Sequence, residues 1–233
     1  MSRTGSGPQL PLALRYPPDQ RFETFVGAPD GALAQLQALA EKDASEWAYL
    51  SGPSGVGKTH LALAACAAAE EAGRRAAYLP LRAAAGRLRE AMEALEGNDL
   101  IALDGLEAIA GDRDEEIALF DFHNRARPAG VGVLYAASAN PDDLPLTLPD
   151  LRSRLSQCAR IALAPLDDEG RKEVLRRRAQ RRGLAFDEAA IDWLLKRADR
   201  DLVSLTGLLD DLDRASLAAQ RRVTVPFLRQ LLG

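Results

Sequence analysis

Cysteine and histidine are scarce: Cys66, Cys158, His60 and His123 are the only ones in 233 residues, and no CxxC pair occurs. That scarcity argues against a disulfide framework or a Cys/His zinc site and suits a reducing compartment. Surplus positive charge is missing too, since 30 Lys and Arg face 34 Asp and Glu for a net charge of −4. Non-specific affinity for duplex DNA rests on an excess of cations, so a dedicated double-helix binder is disfavoured, and any DNA association is expected to be local or indirect. No apolar run reaches the ~18 residues of a spanning helix. Residues 1–8, small and polar, are not followed by the apolar centre of a signal peptide. The expectation is a cytoplasmic protein with no membrane partner. Aromatics make up only 5% of the chain while Ala and Leu supply much of its 47% hydrophobic content, which points to a helix-rich globular protein.

Short apolar runs alternate with helical patterns through the first two thirds. Strands are expected at residues 47–50, 76–79, 100–103 and 131–135, with helices over 31–40, 58–72 and 115–127. Such runs suit a parallel sheet covered on both faces. From Pro165 only helices are expected: 167–182 closed by Gly183, 187–198, 201–220, and a last one opened by Thr224 with Pro226 in its first turn. Three parts follow: an N-terminal tail over 1–19, an α/β nucleotide-binding domain over 20–164 and a helical lid over 165–233.

Gly52-Pro53-Ser54-Gly55-Val56-Gly57-Lys58-Thr59 matches the Walker A pattern in full, between a strand and a helix as the motif requires. Its glycines let backbone N–H groups wrap phosphates, the helix start favours negative charge, Lys58 reaches the β/γ-phosphates and Thr59 offers its hydroxyl to Mg²⁺. Leu100-Ile101-Ala102-Leu103-Asp104 fits Walker B, with Asp104 on the metal side. The next position, where many hydrolytic P-loop ATPases carry a second acid, is Gly105; Glu107 lies two positions further on, with no guarantee of facing the γ-phosphate. Fast autonomous hydrolysis is therefore not expected. Arg152 and Arg154 follow a strand and a short loop, where an arginine can serve a neighbouring subunit's nucleotide or simply belong to a solvated helix face. The basic run over 171–182 reads first as a solvated helix face, with contact to DNA as the alternative. His60 and His123 suit helix packing or surface, and Cys66 suits a buried position. The fold expected is an AAA+ P-loop module with a parallel sheet core and a C-terminal helical lid.

Several further segments carry a resemblance over essentially the whole chain: Gln9-Leu10-Pro11-Leu12, Ile109-Ala110-Gly111-Asp112, Phe120-Asp121-Phe122-His123-Asn124-Arg125, Leu148-Pro149-Asp150-Leu151, Leu212-Asp213-Arg214-Ala215-Ser216 and Thr224-Val225-Pro226-Phe227. They resemble the Hda family, DnaA-homologous regulatory inactivators of the bacterial replication initiator. The resemblance implies a DnaA-like module without the initiator's C-terminal DNA-binding domain. In that family the ADP-bound protein docks on the DNA-loaded sliding clamp of DNA polymerase III and makes DnaA hydrolyse its ATP. Carried over, Gln9, Leu10 and Leu12 look like the clamp-binding peptide, Arg154 like the arginine finger, and Arg200 like the sensor II arginine. Ser138 falls at sensor I, where close relatives have Asp, leaving open whether it or Asn140 makes the contact. Phe22, Phe25 and Val26 resemble the segment bordering the base. The implied cofactors are ADP or ATP with Mg²⁺; the implied partners are DnaA and the clamp, with DNA and nucleoid association through the clamp, and room for a homodimer. Two other readings stand beside it: a freestanding ATPase that remodels a partner or loads a helicase, and a non-catalytic clamp adaptor.

Overall fold

The protein's structure, a computed structural model, describes residues 16, 19–42, 47–181, 183–184, 186–197 and 223–232. Gln9, Leu10, Leu12, Arg200 and the helix expected over 201–220 lie outside them.

Five strands, β1 (Ala48–Ser51), β2 (Ala76–Pro80), β3 (Leu100–Asp104), β4 (Gly132–Ala137) and β5 (Ala159–Ala162), form one parallel sheet in the order β2-β3-β4-β1-β5. Alternation along each central strand explains the burial on both sides. Tyr49, Ile101, Leu103, Val133 and Tyr135 point into one core; Leu50, Leu100, Ala102, Leu134 and Ala136 point into the other. The second core is closed by α1 (Ala32–Glu41) and α2 (Lys58–Glu71), whose Ala62, Ala65 and Ala69 let the helix lie close to the sheet. The first is closed by α3 (Leu81–Ala84), α4 (Leu88–Ala94), α5 (Arg113–Ala126) and α6 (Pro149–Ser156). A third, smaller core joins α7 (Asp168–Arg181), α8 (Glu188–Arg197) and α9 (Val225–Leu232) through Leu175, Ile191, Leu194 and Leu228. No helix among the described residues is long and apolar enough to cross a membrane.

The parallel α/β core and the helical region after it agree with the expected fold class. Three elements had no counterpart in the sequence, and a fourth, α6, was foreshadowed only as a solvated helix face bearing Arg152 and Arg154. α3 and α4 are short and fill the connection from β2 to β3. β5 is an edge strand in which Arg160 and Ala162 are exposed, so it lacks a continuous apolar run. α6 opens with Pro149 at its first position and exposes Arg154 while Arg152 is half-buried. α5 also starts two residues earlier than expected, because Asp112 caps it by accepting from the N–H groups of Asp114 and Glu115 at 3.1 and 3.2 Å.

α5 supplies the anchor for α6. Glu116 is fully buried, and its carboxylate accepts from the N–H groups of Gly111 (2.8 Å), Thr147 (2.9 Å) and Leu148 (2.6 Å) and from the Thr147 hydroxyl (3.0 Å). Burial alone would push this acid's pKa up; the bonds from Thr147, Gly111 and Leu148 outweigh it and hold the pKa below the usual glutamate value. Cys66 is buried with its thiol pushed up to about 12 by desolvation, so it is an inert packing residue. His123 is buried as well, its Nδ1 3.0 Å from the Tyr135 hydroxyl; burial, with the charges of Arg154 and Arg127, pulls its pKa to about 4.

Candidate functional site

The order β2-β3-β4-β1-β5 makes β1 the strand from which the chain leaves in one direction and to whose other side it later returns, and ligands in open α/β sheets bind beyond the strand ends at such a place. The loop over residues 52–57 lies there. Gly52 has φ +151°, and a Cβ on it would stand 2.4 Å from the Leu163 carbonyl oxygen just past β5. Gly57 has φ +97°, a left-handed value, and a Cβ there would stand 2.6 Å from Phe25 Cε2. Both glycines are required by close approach as well as by backbone shape. Gly57 caps α2, a helix of 14 residues whose first N–H groups open toward the loop.

Lys58 folds across the loop, its Nζ donating to the carbonyl oxygens of Gly52 (2.5 Å) and Pro53 (2.8 Å). Half-burial lowers its pKa, while the charges of Glu107 and Asp104 push it back up. Thr59 Oγ1 donates to Asp104 Oδ2 at 2.6 Å, so the P-loop and the end of β3 meet directly. The same Oδ2 accepts from the Tyr78 hydroxyl at 2.9 Å. In the sequence Tyr78 reads only as an aromatic in a short apolar run.

Residues 54–59 and Asp104 line a cleft of about 550 Å³, a size that suits a nucleotide. Phe25 and Val26, the phosphate loop, and Asp104, Glu107 and Ser138 share its lining. Phe22, by contrast, is buried in the core beneath. Ser138 faces the cleft, whereas Asn140 Nδ2 donates to Asp143 Oδ2 at 3.3 Å within its own loop. Glu107 Oε2 accepts from the Ser138 N–H at 3.0 Å, tying the segment after β3 to the end of β4. The N-terminal wall is latched by His60, whose Nε2 lies 2.9 Å from the Arg21 carbonyl oxygen and whose ring meets Phe25 edge-on at 5.3 Å.

From α7, Val174 and Arg178 complete the lining. Arg178 was not distinguished in the basic run over 171–182. Its neighbours are engaged with acids: Arg176 with Glu173 and Glu188, Arg177 with Glu173, and Lys172 with Glu188 and Asp192. That pairing favours the solvated-face reading for them over contact with DNA.

The two arginines of α6 are sorted by their surroundings. Arg152 is half-buried, and its Nη2 donates to the Leu146 carbonyl oxygen at 2.5 Å. Arg154 is exposed, away from this chain's own cleft, and no ion pair among the described residues involves its guanidinium.

The residues present fit a nucleotide with Mg²⁺. Thr59 and Asp104 offer hard oxygen ligands side by side, and no group of three or more His, Cys, Asp or Glu among the described residues could hold a cation by itself. Mg²⁺ bound through one carboxylate, a hydroxyl, waters and phosphate oxygens matches that donor set. Tyr78→Phe is expected to leave Mg²⁺-free nucleotide affinity within about twofold and to raise the Mg²⁺ concentration needed for tight binding severalfold, by freeing Asp104. Titrating a fluorescent ADP analogue against Mg²⁺ checks this; an unmoved Mg²⁺ midpoint would remove Tyr78 from the site.

Comparison with known proteins gives two family matches. Residues 168–232 match the model described as Hda, lid domain, and residues 9–121 match that of the IstB-like ATP binding protein. Among solved structures, domain III of the Thermotoga maritima replication initiation protein DnaA superposes with a TM-score of 0.78 at 22% identity, covering 93% of this chain and 97% of that one. DnaA from Aquifex aeolicus bound to AMPPCP gives 0.66 at 21% identity, over 84% of this chain and 66% of that one. The Thermotoga maritima RuvB branch migration motor gives 0.68 at 18%, over 91% and 70%. At these identities the likeness is one of fold, and it agrees with a P-loop core that binds ATP or ADP.

Proposed function

We propose, from the match of residues 168–232 to the Hda lid domain and of residues 9–121 to an ATP-binding module, that the chain is an Hda-like negative regulator of replication initiation, holding ADP in its own cleft while it presents Arg154 to ATP bound by a DnaA-type partner. The observation that carries this reading is a division of labour. A complete phosphate loop stands beside Gly105, which has no side chain to orient water, while Arg154 projects outward from α6. Such a chain is built to retain nucleotide and to act on another molecule's phosphates.

In this reading the backbone of residues 52–57 and Lys58 hold the phosphates, Thr59 and Asp104 hold Mg²⁺, Phe25 and Val26 border the base, and Ser138 and Arg200 sense the phosphate end. Mg²⁺, when bound, screens phosphate charge. Arg154 would neutralise charge developing on the partner's γ-phosphate. Gln9, Leu10 and Leu12 would dock the protein on the sliding clamp of DNA polymerase III, bringing it to DNA and the nucleoid indirectly. A homodimer covering Arg154 would keep the free protein silent.

The test is single-turnover hydrolysis of labelled ATP preloaded on DnaA, with clamp loaded on DNA and this protein saturated with ADP. Acceleration is expected only when clamp and protein are both present, and it should fall to the clamp-free level when Gln9, Leu10 and Leu12 are all changed to Ala. No acceleration by the unaltered protein would sink the reading. The intact Walker A favours one rival, a freestanding remodeller or helicase loader, which would show sustained turnover of its own that collapses in Lys58→Ala.

A further inference from the structure

We propose that Glu107 takes the place of the acid missing at position 105, orienting water for a slow hydrolysis of this chain's own ATP that sets its ADP-bound state. The proposal rests on the regulator reading above only in supposing that the ADP form is the working one.

Asp104 and Glu107 are the only carboxylates among the described residues lining the cleft. Asp104 is committed to the metal side, its Oδ2 accepting from both Thr59 and Tyr78. Glu107 sits differently. The chain leaves β3 through Gly105 at φ +87°, a left-handed turn, and passes through the short 3-10 turn Leu106–Ala108, which returns Glu107 to the cleft. Leu106 is fully buried beneath it and fixes that turn.

The Glu107 carboxylate is exposed, its charge reaches Lys58, and it accepts from the N–H of Ser138 at the end of β4. The residues flanking that N–H are themselves held, since the Tyr49 hydroxyl donates to the Ala139 carbonyl oxygen at 2.9 Å. A carboxylate steadied through one oxygen keeps acceptor capacity for water on the other, on the side of the cleft where Lys58 marks the terminal phosphates.

In the step proposed, the water oxygen forms a bond to the γ-phosphorus as the bond from that phosphorus to the β–γ bridging oxygen breaks. The bond's electron pair leaves with ADP, and the water proton passes by way of inorganic phosphate to solvent. Glu107 stays ionised and fixes the water's direction. Sharing its carboxylate with Ser138 keeps the reaction slow, which suits a state marker rather than a motor.

Glu107→Gln separates the charge from the fold, because the amide oxygen can still accept from the Ser138 N–H. In single-turnover experiments with Mg²⁺ and ATP, the unaltered chain is expected to convert its bound ATP to ADP. Glu107→Gln should do so about 10²-fold more slowly, with unchanged thermal melting and ADP affinity within about twofold. Nucleotide extracted after purification gives a second readout: ADP from the unaltered chain and ATP from the variant. Equal rates, ADP extracted from both, or no conversion by the unaltered chain would each overturn the proposal. Stimulation of DnaA by unaltered protein supplied directly with ADP bypasses this step, so failure of the regulator reading registers there and failure of the Glu107 role does not.

Discussion

Arg154→Ala is expected to lower the stimulation of DnaA-bound ATP hydrolysis by about 10³-fold, the scale on which a trans-acting arginine works. Affinity for ADP should stay within about twofold, because Arg154 is exposed on α6 and is absent from the lining of this chain's own cleft. Arg154→Lys should recover little, since an ammonium keeps the charge but lacks the planar fork that grips two phosphate oxygens. Arg152→Ala makes the contrast. It removes a bond to the Leu146 carbonyl oxygen at the entrance of α6, so it should act on stability before function. Preloaded DnaA assayed with each variant, alongside a fluorescent ADP titration, distinguishes these outcomes. If Arg154→Ala stimulated like the unaltered chain, the arginine-finger role would be lost.

Glu116→Ala is expected to cost about 3 kcal/mol, because it removes a fully buried charged acceptor that holds three backbone N–H groups and a hydroxyl. In a domain of this size that is roughly a 10 °C fall in melting temperature. The carboxylate is fully buried and accepts from Gly111, Thr147 and Leu148, the last two directly before α6. Where the fold survives, stimulation of DnaA should fall too, since the base of the Arg154 helix is released. The pH dependence has a definite sign. A glutamate whose folded pKa lies below its ordinary value of about 4.3 stabilises fully above that value, and the contribution is lost as pH falls through the lowered folded pKa. The stability gap between the unaltered chain and Glu116→Gln should therefore narrow below about pH 4. Urea unfolding of both at neutral and acid pH checks it, and a gap independent of pH would contradict the ionised-anchor account.

How much of this was legible depended on whether chemistry dictates residue type or only position. The loop over residues 52–59 was readable because wrapping phosphates demands glycine, lysine and a hydroxyl in a set order, and Asp104 because an apolar run leads straight into it. Glu107 was not, because its direction follows from the left-handed turn at Gly105, and a glycine permits such a turn without announcing it. Tyr78 gave no sign of bonding to Asp104, as aromatics within strands usually only pack. Arg178 could not be told from the basic neighbours on α7 until that helix was set against the cleft. β5 escaped because its edge position leaves Arg160 and Ala162 in solvent, erasing the apolar run by which the inner strands were found.

The register of β1 bears on how the protein comes into being. Ala48 pairs with Leu134 on one side and with Ala159 on the other, so the strand feeding the phosphate loop has no neighbour until much later chain has been made. The loop's first glycine then lies against the carbonyl of Leu163, at the far end of that late segment. Contacts so distant in sequence form slowly, and a chain emerging from its N-terminus cannot complete them early. Nucleotide can thus be gripped only once synthesis has passed the whole sheet, and capture of the first ADP or ATP doubles as a signal that the core has closed.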